Sequence, residues 1–279
     1  MKRVIITGST GLVGSRIMEL LHEKVQFIPL SQPLIDITNK ESVKNALMSV
    51  DYDIVLHLAA YTKVDEAEHE QAEAHNVNVI GTQNIFSVVC QQQKKLIYIS
   101  TDFVFDGIKP PFTENCIPNP LSKYGSTKYE AEKIVEKQAM IVRISYPYKK
   151  YALGKKDFVQ NIREQLSNGN TLRMVKDSLI TPTYIDDIAF GLLHLIEHFA
   201  PKIFHIVGAQ SLSPYYASML IAHTFGLNNR LIQPSTFAEF FQNRAKRPQY
   251  SDIQSIENNF YTMKTFEQGL AALLNNSSR

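Results

Sequence analysis

The 279-residue chain is 44% hydrophobic and 20% charged, with a net charge of +2. That balance suits one large α/β domain, or a domain with a smaller lobe, and gives no ground for a nucleic-acid or membrane surface. No apolar run nears the ~20 residues that span a bilayer, and Met1 to Gly8 holds no leader-like apolar segment. Cys90 and Cys116, the only cysteines, lack metal-ligand spacing. The expectation is a cytoplasmic protein with no metal, no membrane and no nucleic-acid partner.

Arg3 to Thr7 reads as a buried strand through the apolar run Val4-Ile5-Ile6. After a glycine turn, Val13, Ile17, Leu20 and Leu21 fall at helical spacing. Val25 to Leu30 is a second strand, and Thr38 with Glu41 resembles a capping box opening the next helix. Asp53 to Leu58 is a third strand, Asn76 to Val89 a helix, Lys95 to Ser100 a fourth strand, Leu121 to Glu136 a helix and Met140 to Ser145 a fifth strand. Such alternation predicts a Rossmann-type doubly wound parallel sheet. Beyond about residue 150 the pattern loosens. Asp157 to Ser167 and Asp186 to Phe199 look helical, Leu172 to Val175 and Ile203 to Val207 extended, and Ser213-Pro214 opens a further helix. Residues 1–150 are therefore read as the dinucleotide-binding domain. Residues 151–279 are read as a mainly substrate-binding lobe, partly interleaved with the sheet.

Gly8-Ser9-Thr10-Gly11-Leu12-Val13-Gly14 lies at the first strand-to-helix turn. There Gly8 permits the turn, Gly11 the approach of a pyrophosphate and Gly14 close helix packing, while the helix N-terminus offers free N–H groups to phosphate. The alternative is a tight turn without a ligand, but three spaced glycines carry a cost in backbone entropy. At the end of the second strand stands Leu30-Ser31-Gln32, with no carboxylate to favour the 2′-hydroxyl of NAD. This leans towards NADP, with NAD possible and Lys2, Arg3 and Arg16 the nearest candidate cations. Asp36-Ile37 meets the adenine edge or is a surface turn.

Tyr124 and Lys128, four apart on a predicted helix, share a face. A free tyrosine has a pKa of ~10, and a nearby ammonium lowers it. Ser100-Thr101 ends the fourth strand, where α/β enzymes place their chemistry. The three groups together form a proton-transfer constellation.

These stretches resemble the extended short-chain dehydrogenase/reductase superfamily, and within it the dTDP-4-dehydrorhamnose reductase family. The resemblance is carried by the Gly8 turn, Asp36-Ile37-Thr38, the run from Ala59 to Glu68, the run from Ser100 to Gly107, Tyr124 to Lys128, Thr181-Pro182-Thr183, and Ala245 to Pro248 with Ser251. It implies a nucleotide-sugar reductase, with a homodimer as its candidate assembly. Tyr124 is then the proton donor, Lys128 its support and the ribose contact, and Thr101 the third hydroxyl. Gly8, Thr10, Gly11, Leu12, Val13 and Gly14 hold the pyrophosphate. Ser31, Asp36 and Ile37 lie near the adenosine, and Ala59, Ala60, Tyr61 and Ile99 run along the cofactor. Thr101, Asp102, Tyr146 and Arg247 face the substrate. Two segments depart from the family pattern: Tyr146 stands where a tryptophan is expected, followed by Pro147-Tyr148-Lys149-Lys150, and Asp177-Ser178-Leu179-Ile180 replaces Asp-Gln-x-Gly. Both fall in the substrate half. The rival readings are a nucleotide-sugar epimerase or dehydratase, and a non-catalytic NADP-binding subunit resembling the β subunit of methionine adenosyltransferase. His57 is read as a core histidine, His194 and His198 as surface or core residues, and the face of Phe266, Leu270, Leu273 and Leu274 as a docking helix or a dimer contact.

Overall fold

The computed structural model describes residues 1–150 and 156–275. In chain order, the first half runs β1 (Lys2–Thr7), α1 (Leu12–Leu21), β2 (Val25–Leu30), α2 (Lys40–Met48), β3 (Ile54–His57), α3 (Gln71–His75), α4 (Gly81–Gln91), β4 (Lys95–Thr101), α5 (Lys123–Val135) and β5 (Met140–Ile144). The second half runs β6 (Pro147–Tyr148), α6 (Phe158–Ser167), β7 (Leu172–Val175), β8 (Thr183–Tyr184), α7 (Ile185–Glu197), β9 (Ile203–His205), α8 (Pro214–Thr224), β10 (Ile232–Ser235), α9 (Phe237–Phe241) and α10 (Phe266–Asn275).

Six strands form one parallel sheet in the order β2-β1-β3-β4-β5-β9. Its two faces are legible in single strands, because successive side chains alternate sides. Val4 and Ile6 join Ile17 and Leu21 of α1 and Ile188 and Leu192 of α7 in one buried cluster. Ile5, between them, joins Val43 and Leu47 of α2 and Ile85 and Val88 of α4 in another. A third cluster, built from Tyr148, Val159, Ile162, Ile221, Phe266 and Leu270, lies in the second half of the chain. Helix α10 therefore docks through Phe266, Leu270 and Leu273, leaving Leu274 exposed. No helix among the described residues is long and apolar enough to cross a membrane.

Chain order reverses between β1, whose successor β2 lies on one side, and β3, which lies on the other. In open α/β sheets a crevice forms at the carboxyl ends of strands at such a point.

Two local expectations need correction. Helix α2 is capped by Asn39, whose side chain accepts the Ser42 N–H, rather than by Thr38 with Glu41. Thr38 is instead drawn toward Asp36, its N–H and hydroxyl both donating to Oδ1, at 2.9 and 2.7 Å. The helix expected over 76–89 runs from Gln71 to Gln91, with a π-helical stretch at Asn76–Ile80 joining α3 to α4. Such wide turns accompany functional sites, and this one places Asn78 under the loop that follows β3.

Candidate active site

A cleft of about 1000 Å³ opens along the carboxyl ends of β1, β2, β3, β4 and β5. Its first wall is backbone. Gly8 has φ +67°, and a Cβ there would stand 2.7 Å from the Ala59 nitrogen. A Cβ on Gly14 would stand 2.5 Å from the Gly8 carbonyl. The turn closes through the Gly11 N–H donating to Gly8 O at 3.0 Å, and Gly11 caps α1 with no side-chain bond. The first N–H groups of α1 thus face the cleft uncovered by any side chain, an arrangement suited to a pyrophosphate.

Thr10, Leu12, Val13, Ser31, Asp36, Ile37, Ala59, Ala60 and Ile99 line the same cleft, as the sequence reading places them. Tyr61 does not. Its phenol donates to Glu70, and its backbone is clamped by Asn78, which accepts the Tyr61 N–H at 2.8 Å and donates to Tyr61 O at 3.1 Å. Two of the three candidate cations for a 2′-phosphate are already engaged. Arg16 makes a bidentate pair with Asp186 at 2.7 Å, and Arg3 pairs with Asp51 at 2.5 Å. Asp36 lines the same cleft with one oxygen committed to Thr38.

The chemistry-bearing groups meet where β4 ends. Helix α5 starts at Ser122, whose hydroxyl caps the Gly125 N–H, and presents Tyr124 and Lys128 on one buried face. Gly125 is required there, since a Cβ would stand 2.3 Å from the Phe103 carbonyl. The Thr101 hydroxyl donates to Asp102 Oδ1 at 3.1 Å and lies close enough to Tyr124 to act on its phenol. Asp102 is 2% exposed, and its other oxygen accepts from Ser145 at 2.9 Å and from Ser251. Three hydroxyls thus offset the cost of burying this carboxylate, yet burial still raises its pKa. Lys128 Nζ donates to Ile99 O at 2.7 Å and stands 4.1 Å from the centre of the Tyr98 ring.

Burial pushes the Tyr124 phenol up to about 12, with Asp102 adding to the rise and Thr101 opposing it. Burial pushes Lys128 down to about 7 against the pull of Glu132. The sequence reading has Lys128 lowering the Tyr124 phenol; burial acts in the opposite direction. A phenol held protonated at neutral pH is ready to give a proton and poorly suited to take one.

On the opposite wall, Tyr146 follows β5 with φ +38°, unusual for a bulky residue. Its ring packs edge-on against Phe158, and its hydroxyl has no hydrogen-bond partner among the described residues. Its phenol is raised by burial and by Asp102 and lowered by Arg247. Arg247 does not line the cleft: its guanidinium is bonded to Asp65 and lies 4.3 Å from the Phe241 ring centre. Ser145, Asn78, Lys156 and Phe158 were not singled out from sequence. Ser145 follows directly on β5, but nothing local signals that Ser145 and Ser251, 106 positions apart, meet on one carboxylate.

His57 is a core residue, held by Thr7 at 2.6 Å and Thr82 at 3.1 Å. His194 and His198 stack on each other, and His194 on Phe260. No group of three metal-ligating side chains occurs among the described residues.

The sequence matches the family model described as the RmlD substrate binding domain over residues 1–279. This chain belongs to the dTDP-4-dehydrorhamnose reductase family. A dTDP-4-dehydrorhamnose reductase from Aggregatibacter actinomycetemcomitans is 31% identical, over 93% of this chain and 94% of that protein. The crystal structure of a dTDP-4-dehydrorhamnose reductase from Bacillus anthracis, in complex with NADP, superposes with a TM-score of 0.91 at 33% identity, covering 98% of each chain. The methionine adenosyltransferase 2 subunit beta of Xenopus tropicalis is 27% identical over 84% of this chain and 75% of its own length. The superposition covers the Rossmann-like parallel sheet and its flanking helices, so the two structures share this fold.

Proposed function

We propose that this protein reduces the 4-keto group of a nucleotide-linked deoxysugar, dTDP-4-dehydrorhamnose, to give dTDP-L-rhamnose. NADPH is the preferred reductant, and NADH is also admitted. The observation that carries the reading is the convergence of Thr101, Tyr124 and Lys128 on the cleft whose other wall is the Gly8–Gly14 cradle. The cradle suits a pyrophosphate because α1 begins at Gly11 with no side-chain cap, leaving its first N–H groups for phosphate oxygens. The absence of an acidic residue at Ser31-Gln32 leaves room for a 2′-phosphate.

The bound reduced nicotinamide supplies a hydride to the sugar carbon. Tyr124 donates its proton to the forming alkoxide oxygen. Thr101 turns its hydroxyl hydrogen from Asp102, which it otherwise bonds, to donate to that oxygen. Lys128 holds the ribose and stabilises negative charge developing at the phenol. Asp102 and Tyr146 face the sugar. Arg247, near enough to Tyr146 to lower its pKa, is the cation on the nucleotide side.

The test is net oxidation of NADPH with dTDP-4-dehydrorhamnose, followed by nicotinamide absorbance. Tyr124→Phe is expected to lower kcat by about 10²–10⁴-fold. Conversion of a sugar nucleotide without net oxidation would instead mark an epimerase or dehydratase. No turnover, with a stoichiometric partner co-purifying, would mark a regulatory subunit.

A further inference from the structure

Behind Lys128 lies a buried charge array that the proposed chemistry does not use. Glu132 is one helical turn further along α5, on the same buried face, and is 2% exposed. Arg143 of β5, 1% exposed, clamps it with both arms, Nε to Oε1 at 2.9 Å and NH2 to Oε2 at 2.6 Å. The remaining arm of Arg143 meets His205 Nε2 at 3.3 Å. His205 Nδ1–H donates to Gln254 O at 2.7 Å, so Nε2 is left as the acceptor. Burial pushes His205 down to about 4, which keeps the ring neutral. Glu114, at the far end, is satisfied by the N–H groups of His205 and Ile256 and by Ser255.

A buried ion pair is a poor stabiliser, and apolar residues of similar volume often serve as well. A role in stability alone leaves this array unexplained. Its placement suggests another. Among the described residues, Lys128 meets the Ile99 carbonyl and the Tyr98 ring from β4, acts on His57 of β3 and is acted on by Glu132 of its own helix. His57 is pushed down to about 3 by burial and by Lys128, so it is neutral at physiological pH. Asp102 acts on Tyr124. Glu132 is thus the carboxylate that opposes the desolvation of the Lys128 ammonium.

We propose that Glu132 is a positioning residue: its carboxylate, clamped by Arg143, is the counter-charge that keeps Lys128 an ammonium beside Tyr124. The inference rests on the reductase reading for its purpose, but its physical content is independent of substrate. The neutral His205 satisfies the spare arm of Arg143 without adding a charge that would compete with Lys128.

The test is the titration of Lys128 in the whole protein. It is followed by NMR on protein carrying ¹³Cε-labelled lysine, with the signal assigned by its loss in Lys128→Met. Glu132→Gln leaves Arg143 charged and unpaired, so the Glu132→Gln/Arg143→Met double variant is made beside it to preserve folding. The Lys128 midpoint is expected to fall by about one pH unit or more in the double variant, and further in Glu132→Gln. The alkaline limb of kcat should move to lower pH with it. A folded double variant whose Lys128 titrates at the wild-type midpoint overturns the proposal. The titration needs no keto-sugar, so failure of wild-type turnover counts against the reductase reading alone.

Discussion

On the Gly8–Gly14 side of the cleft the wall is backbone, packed so closely that a Cβ at Gly8 or Gly14 would strike a neighbouring main-chain atom. On the sugar side the wall is made of side chains brought from distant segments. Asp102 is held by Ser145 and Ser251, and Tyr146 sits in left-handed backbone with Phe158 against its ring. A backbone wall is insensitive to the identity of its neighbours but intolerant of a single added methyl. A side-chain wall can be retuned one residue at a time. The two departures from the family pattern, at Tyr146–Lys150 and at Asp177–Ile180, both lie on the retunable side or behind it.

This contrast can be broken by substitution. The largest effect, beyond the loss at Tyr124, is expected at Gly14→Ala. The added Cβ meets the Gly8 carbonyl, overpacking of this kind costs about 1–3 kcal/mol, and NADPH affinity measured by calorimetry should fall by roughly 10–100-fold. If affinity is unchanged, the cradle is not the phosphate site.

Next comes Lys128→Met. Burial holds Lys128 near 7, below its ordinary value. The unfolded chain therefore binds the proton more tightly between that value and about 10.4. The native state carries the full penalty below pH 7 and sheds it as pH rises. The variant should gain thermal stability at pH 6 relative to pH 9 while losing activity. Equal gains at both values would show that the ammonium is not strained by burial.

Smaller still is Tyr146→Phe, which removes one unpartnered hydroxyl. A single hydrogen bond to substrate is worth about 0.5–1.5 kcal/mol, so kcat/KM for the sugar should fall roughly 2–10-fold with NADPH affinity untouched. A change in NADPH affinity as well would show that the two walls are not independent.

Much of the first wall was legible in the sequence because its signals are local. The Gly8–Gly14 spacing, the Tyr124–Lys128 interval and Thr101 at a strand end each fall within one turn or one element. That the strands pair in parallel, with helices on both faces, followed from their alternation with helices. What was not legible depends on contacts far apart in the chain. Glu132 and Arg143 lie on neighbouring elements, but only the packing of α5 over β5 makes them a closed pair. Nor does anything local signal that Arg247 pairs with Asp65, 182 positions away. The cap of α2 moved from Thr38 to Asn39 because Asp36 competes for the same threonine. Nothing in Asn76–Ile80 distinguishes a π-helical turn from an α-helical one.

Strand β9, at the edge of the sheet, is contributed by residues 203–205 and hydrogen-bonds to β5. Helix α7, just before it, covers α1, the first helix of the chain. During synthesis, more than two-thirds of the polypeptide must leave the ribosome before the opening βα unit acquires its final neighbour. Until then β5 presents a bare rim and α1 an uncovered greasy stripe, the kind of surface on which nascent chains aggregate. A gene cut at residue 150 would express that vulnerable intermediate permanently, and the natural place for a tag or a fusion is an end of the whole chain.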